Sequence, residues 1–213
     1  MSDWRLTPCC VGPLETNAYV LAAPAIAEAV LVDPGGDPQL LLAVLAKSSC
    51  RLRYLICTHG HFDHVAAAAD IQRVWDTPLL CHPLDAPLIE RMPDLQAGYG
   101  FPPSAIPRLA SVLTDGQSLP FAGKALAISH VPGHSPGHVM LAWDNVALVG
   151  DTIFAGSVGR TDLPGSSFRD LEDSIQKRIF TLPSQTRLYP GHGPATTVAA
   201  EKAGNPFVRP IPE

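Results

Sequence analysis

The chain has 213 residues, 46% of them apolar, and a formal net charge of −5. That length and apolar content can fill one large domain spanning residues 1–213, and an acidic balance without Lys/Arg clusters argues against nucleic acid as a partner. No apolar run approaches the roughly 20 residues that cross a bilayer, and "MSDWRLTPCCVG" lacks the basic start, apolar stretch and cleavage site of a secretory signal, so neither membrane nor export is expected.

The first third reads as short strands broken by turns: Trp4 to Val11, Asn17 to Ala23, and Ala29 to Val32, which runs into an Asp-Pro-Gly-Gly turn. Asp37 stands as an N-cap before Pro38 and opens a helix through Lys47, apolar on nearly every side and so expected to be well buried. A strand, "RLRYLICT", leads into a polar loop, and "HVAAAADIQRVW" favours helix through its alanines and long side chains. A proline-rich middle, Pro78 to Pro107, follows. Lys124 to Ser129, Val139 to Trp143 and Val146 to Val149 read as strands again, and Ser166 to Phe180 as a helix. In it Phe168, Leu171, Ile175 and Ile179 recur at spacings of three and four, Ser167 and Asp170 form a capping box, and Pro183 marks the stop. Two blocks of strands separated by helices predict two packed sheets with helices outside, a four-layer αββα sandwich of the α/β class.

Cys9, Cys10, Cys50, Cys57 and Cys81 are odd in number and follow no CxxC spacing. That argues against a disulfide framework or a zinc ribbon and fits a cytoplasmic location. Cys50, Cys57 and Cys81 read as small buried apolar residues.

The stretch "CTHGHFDHVAAAAD" crowds His59, His61, Asp63 and His64 where a strand hands over to a helix. Other apolar strand-like runs end in turns with similar groups: His134 and His138 in "ISHVPGHSPGH", Asp151 in "VALVGDT", His192 in "RLYPGHGP". Several strand ends thus each deliver an imidazole or a carboxylate, the ligands that zinc and related divalent ions prefer, and these could converge at one sheet edge. With the opening cluster, and His138 left aside, the candidates number seven, too many for one tetrahedral zinc but suited to two metals sharing a carboxylate and a water. Crowded imidazoles leave little room for separate partners, and unpaired buried polar groups are costly; a shared cation removes the difficulty. His82 and His130 fit no ligand spacing and read as structural or solvent-facing. Asp33 reads first as a turn residue, with support of a ligand from behind as the alternative.

"THGHFDH" matches the HxHxDH signature of the metallo-β-lactamase superfamily, and the later His in "PGHSPGH", Asp in "GDT" and His in "PGHGP" follow in the same order. Within that superfamily the chain resembles the glyoxalase II group, especially short members without the C-terminal helical glutathione-binding domain, for which the closing "EKAGNPFVRPIPE" is too short. The resemblance implies an αββα sandwich with a dinuclear site at one edge of the sheets. It implies that His59, His61 and His134 hold one metal, that Asp63, His64 and His192 hold the other, that Asp151 bridges them and that His138 stands behind the ligands. The metals would be zinc, with iron or manganese as alternatives. The implied reaction is hydrolysis of a small acyl thioester, possibly glutathione-based, such as S-D-lactoylglutathione to D-lactate and glutathione, by hydroxide formed between the metals. Asp63 would also orient the water. Arg160 in "GSVGRTD" would bind a glutathione carboxylate, against the plainer reading of a surface pair with Asp162.

Aspartate rather than cysteine at position 151 argues against antibiotic hydrolysis as the main activity. Mononuclear iron persulfide dioxygenases share "GRTD" but typically read "PGHTPGC" and "PAHDY" where this chain has "PGHSPGH" and "PGHGP", which makes persulfide oxidation the alternative. A lactonase or phosphodiesterase of the same superfamily comes third. A binding protein on a retained fold is disfavoured by the completeness of the ligand set. Oligomeric state leaves no signature in this sequence.

Overall fold

The computed structural model describes residues 4–210. Strands β1 (Arg5–Val11), β2 (Thr16–Ala23) and β3 (Glu28–Val32) pair antiparallel in chain order. Helix α1 (Pro38–Ser48) then crosses to β4 (Arg51–Ile56), parallel to β3. Two more crossovers follow, through α2 (Phe62–Val65) and α3 (Ala68–Val74) to β5 (Leu79–Cys81), and through α4 (Ala86–Glu90) and α5 (Met92–Gly98) to β6 (Leu109–Ser111). Parallel neighbours require such crossovers, and these supply one outer helical layer. The second sheet opens with β7 (Ser118–Phe121), β8 (Lys124–His130), β9 (Val139–Trp143) and β10 (Val146–Gly150), all antiparallel. After the small hairpin β11 (Ile153–Phe154) and β12 (Ser157–Val158), helix α6 (Phe168–Ser174) continues as a π turn through Ile179 and crosses to β13 (Arg187–Pro190), parallel to β10. Strand β14 (Thr196–Thr197) and helix α7 (Val198–Gly204) close the order β14-β13-β10-β9-β8-β7.

The alternation of side chains along each strand builds the layers. Tyr19, Leu21, Val30 and Val32 face between the sheets, where they meet Leu126, Ile128, Leu141 and Leu148. Their chain neighbours Val20, Ala29 and Leu31 turn the other way, onto Leu41 and Leu45 of α1 and Ile71 of α3. On the far side Met140, Ala147, Val149 and Leu188 pack against Leu171, Ile175 and Ile179. Three apolar layers separate four layers of secondary structure, the αββα sandwich that the order of elements predicts.

Several local expectations change. Helix α1 is an outer helix: Leu41 and Leu45 are fully buried, but Leu40 is 45% exposed, because only one side of a helix can rest on a sheet. Asp37 has φ +44° and makes no side-chain cap; its carboxylate instead accepts from the Gly12 N–H at 2.8 Å, tying α1 to the β1–β2 turn. The expected helix after His64 is two pieces, since Ala67 donates its N–H to the Pro34 carbonyl at 2.9 Å and breaks the ladder. Ser167 caps α6 with its hydroxyl 3.3 Å from the Asp170 N–H, while its own N–H goes to the Gly133 carbonyl, so the reciprocal half of the capping box is absent; Phe168 is 43% exposed. The proline-rich middle carries β5, α4 and α5, elements too short for a periodic pattern, with proline in the first turn of both helices. Cys9, Cys50, Cys57 and Cys81 are buried. Among the described residues no helix is long and apolar enough to cross a membrane.

Candidate metal centre

The strands that run parallel end at one edge. Asp33 follows β3, His59 and His61 follow β4, Asp151 follows β10 and His192 follows β13, while His134 and His138 sit in the turn between β8 and β9. Carboxyl ends of such strands are the usual place for a site, because the loops there are held by rigid elements but carry no sheet partners of their own. Asn17 on β2 fixes the last of these loops: its N–H donates to the Gly191 carbonyl at 2.7 Å and its side-chain amide to the carbonyls of Pro190 and Gly193.

Ligand atoms of His59, His61 and His134 lie within 4.8 Å of one another, as do those of Asp63, His64 and His192, and those of His59, His64 and Asp151. Asp151 stands between the first two groups. Its Oδ2 is 3.5 Å from His134 Nε2 and 3.6 Å from His192 Nε2, while its Oδ1 is 3.4 Å from His64 Nε2. Asp63 Oδ2 is 3.2 Å from His192 Nε2 and also accepts from the Thr16 hydroxyl at 3.2 Å. All seven sequence candidates are therefore in one place. Glycine at position 191 is a requirement of this crowding, since a Cβ there would stand 2.1 Å from Asp151 Oδ1.

Hydrogen bonds behind the cluster set which ring nitrogens are free. The Thr58 hydroxyl donates to Asp33 Oδ2 at 2.9 Å, so its oxygen is left to accept from His59 Nδ1 at 3.1 Å, and His59 Nε2 is turned bare into the site. Asp33 Oδ2 also lies 3.0 Å from His64 Nδ1, which turns His64 Nε2 the same way. His134 Nδ1 donates to the Arg160 carbonyl at 2.8 Å, and its Nε2 lies 2.9 Å from His61 Nδ1. His138 stands one step back: its Nε2 accepts from the Asp151 N–H at 3.0 Å. The turn reading of Asp33 is thus only half of its role. The residue does turn the chain, with φ +54°, but its buried carboxylate orients two of the imidazoles.

The electrostatics are those of a cation site. Burial lowers His59 well below the usual range, reinforced by His64 and His138, and burial with His134 nearby pushes His61 down to about 4. Burial would lower His64 too, yet Asp151, Asp63 and Asp33 together raise it well above that range. Burial would raise Asp151, but His64 and then His134 and His192 hold it well below the carboxylate range. The carboxylates thus favour positive charge at this spot. At the cluster His59 Nε2, both ring nitrogens of His64 and Asp151 Oδ1 are buried without a hydrogen-bond partner. Such orphaned atoms are rare and ask for an ion. The cluster suits a dinuclear metal site.

A profile described as "Metallo-beta-lactamase superfamily" matches residues 11–192. The chain belongs to the metallo-β-lactamase superfamily. Hydroxyacylglutathione hydrolase GloC of Haemophilus influenzae is 32% identical over 193 residues, 84% of this chain and 87% of that protein. Two solved structures are similar throughout: BLEG-1, described as a B3 metallo-β-lactamase, with TM-score 0.88 and 35% identity over 96% of this chain and 99% of its own, and TTHA1623 in a di-iron-bound form, with TM-score 0.85 and 39% identity over 95% and 100%.

Two further residues bear on the site. The Arg160 guanidinium forms a bidentate pair with Asp162 through two 2.7 Å hydrogen bonds, and its contact with the cluster is through its backbone carbonyl. Asp85 escaped the sequence reading altogether. Wholly buried, it accepts from the Gly60 N–H at 2.8 Å, the Ser135 hydroxyl at 2.7 Å and the Gly137 N–H at 2.5 Å, bolting the superfamily's HxHxDH loop to the His134 loop. A Cβ on Gly137 would lie 2.7 Å from Asp85 Oδ1, so glycine there permits the bolt. His82 and His130 stack on each other with ring centroids 4.3 Å apart, outside the cluster as expected.

Proposed function

We propose that this chain is a metal-dependent hydrolase of acyl thioesters of the glyoxalase II type, with S-D-lactoylglutathione as the reference substrate. The observation that carries the reading is Asp151 with its unpartnered Oδ1, set between two trios of ligand atoms that converge on one spot. His59, His61 and His134 would hold one divalent ion, Asp63, His64 and His192 a second, with Asp151 shared. Zinc suits these donors; the di-iron form of TTHA1623 keeps iron in play, with manganese a further option. When bound, such ions acidify water and polarise a carbonyl oxygen.

The chain's own groups do the rest. Asp33 holds the Thr58 hydroxyl, whose oxygen faces His59 Nδ1, and stands 3.0 Å from His64 Nδ1, and His138 fixes the Asp151 backbone. Asp63, at the edge of the cluster beside Thr16 and His192, orients the attacking water. The water oxygen forms the new C–O bond, the C–S bond breaks, and the products are a carboxylate and a thiol. A thiolate is a good leaving group, which fits the absence of a dedicated acid among these residues.

Chelation is expected to abolish cleavage of S-D-lactoylglutathione, and zinc, iron or manganese to restore it; metal-replete protein that cleaves no small acyl thioester would sink the reading. Asp33→Asn is expected to weaken metal binding about 10- to 100-fold by loosening two ligands at once, as competition with a chromogenic chelator would show.

The likeness to BLEG-1 makes β-lactam hydrolysis a second reading. Aspartate at 151 separates this chain only from β-lactamases with cysteine there, so a chromogenic cephalosporin belongs in the same assay. The complete second trio favours a hydrolase over a mononuclear iron persulfide dioxygenase. Oxygen uptake with glutathione persulfide at one iron per chain would reverse that preference.

A further inference from the structure

Resting on the thioester reading, we propose that the cleft over the metal centre selects thioesters with an apolar acyl chain on a thiol that carries one negative charge, and that Arg91 takes that charge. The cleft encloses about 660 Å³. Its floor is His61, Asp63, His134, Asp151 and His192; ten of the twelve other lining residues are apolar or aromatic. Leu14 comes from the β1–β2 turn, Leu88 and Leu95 from α4 and α5, and Phe154 from β11. Phe62 is flanked by Tyr99 and Phe101 at ring-centroid distances of 5.8 and 5.5 Å, making one aromatic wall. Leu14 and Tyr99 are 41% and 58% exposed, apolar surface that a bound chain would remove from water.

Only two charged side chains stand on these walls, Arg91 and Arg160. Arg160 is committed to Asp162 on both sides of its fork. Arg91 is exposed and makes no ion pair among the described residues. One free cation on an apolar wall matches an apolar ligand with a single anionic group. It matches glutathione poorly: two carboxylates, an ammonium and two amides would need several fixed partners, and polar groups covered without partners are costly.

The test has a binding arm and a turnover arm. In the first, S-alkyl thioethers of 3-mercaptopropionate, ethyl through hexyl, are titrated into the metal-loaded protein by calorimetry. Affinity is expected to rise about fourfold per methylene. The free acid should bind about two- to fivefold tighter than its methyl ester, a preference that Arg91→Gln removes and Arg91→Lys restores. In the second arm, acetyl through hexanoyl thioesters of 3-mercaptopropionate are compared with S-D-lactoylglutathione, and kcat/KM is expected to climb with chain length and exceed that of the glutathione thioester. A flat series in both arms, or an acid preference that survives Arg91→Gln, overturns the inference while leaving thioester hydrolysis intact. A steep binding series without cleavage of any thioester supports the cleft preference and overturns the thioesterase reading instead.

Discussion

Asp151→Asn is expected to lower thioester turnover by about two to three orders of magnitude, the scale on which losing a group that stabilises transition-state charge is felt, and to leave fewer than two metals per chain. The substitution keeps the shape and removes the function. A carboxylate presents acceptors on both sides, and here Oδ1 lies toward His64 while Oδ2 lies toward His134 and His192. An amide has one oxygen and one donor NH₂, so whichever way it turns it offers hydrogens to one set of imidazole nitrogens. Turnover measured beside elemental analysis checks this. A variant that keeps two metals and wild-type rate would remove Asp151 from the centre.

Asp85→Ala is expected to destabilise the protein by at least about 3 kcal/mol, since it leaves three donors buried without an acceptor at about 1–3 kcal/mol each. For a chain of this size that is a melting temperature lower by roughly 6 °C or more. The Gly60 N–H, Ser135 hydroxyl and Gly137 N–H lie in the two loops that carry His59, His61 and His134. Metal retention should therefore fall with stability, whereas a surface substitution such as Lys177→Ala, which removes only an exposed i,i+4 pair with Asp173, should change neither. Asp85→Asn retains one acceptor oxygen and should land between wild type and alanine. Thermal melts with and without added zinc read all three variants, and equal metal retention in wild type and Asp85→Ala would show that the bolt does not hold the site.

What the sequence disclosed and what it hid follow from range. His59, His61, Asp63 and His64 are visible because they crowd together where a strand ends, and His134, Asp151 and His192 because each follows a clear apolar run. The layered fold is visible for the same reason, through strands long enough to alternate. Asp85, alone in "HPLDAPL", has no such context; its role appears only when β5 lies beside β4 and the turn between β8 and β9 folds over both. Asp33 is legible as a turn but not as a support, because the turn is local and His64 is 31 positions away. The cleft walls were hidden in the proline-rich middle, whose five- and seven-residue helices are too short to show a stripe. Arg160 was legible as a pair with Asp162, the plainer of its two readings, because the partner is only two residues on.

The two trios, with Asp151 shared, would hold two ions that together supply thioester hydrolysis. Titrating zinc into metal-free protein while following thioester cleavage tests it most directly. Activity is expected to depend on the second equivalent and to saturate at two per chain. Full activity at one equivalent, or cleavage indifferent to metal, would contradict it.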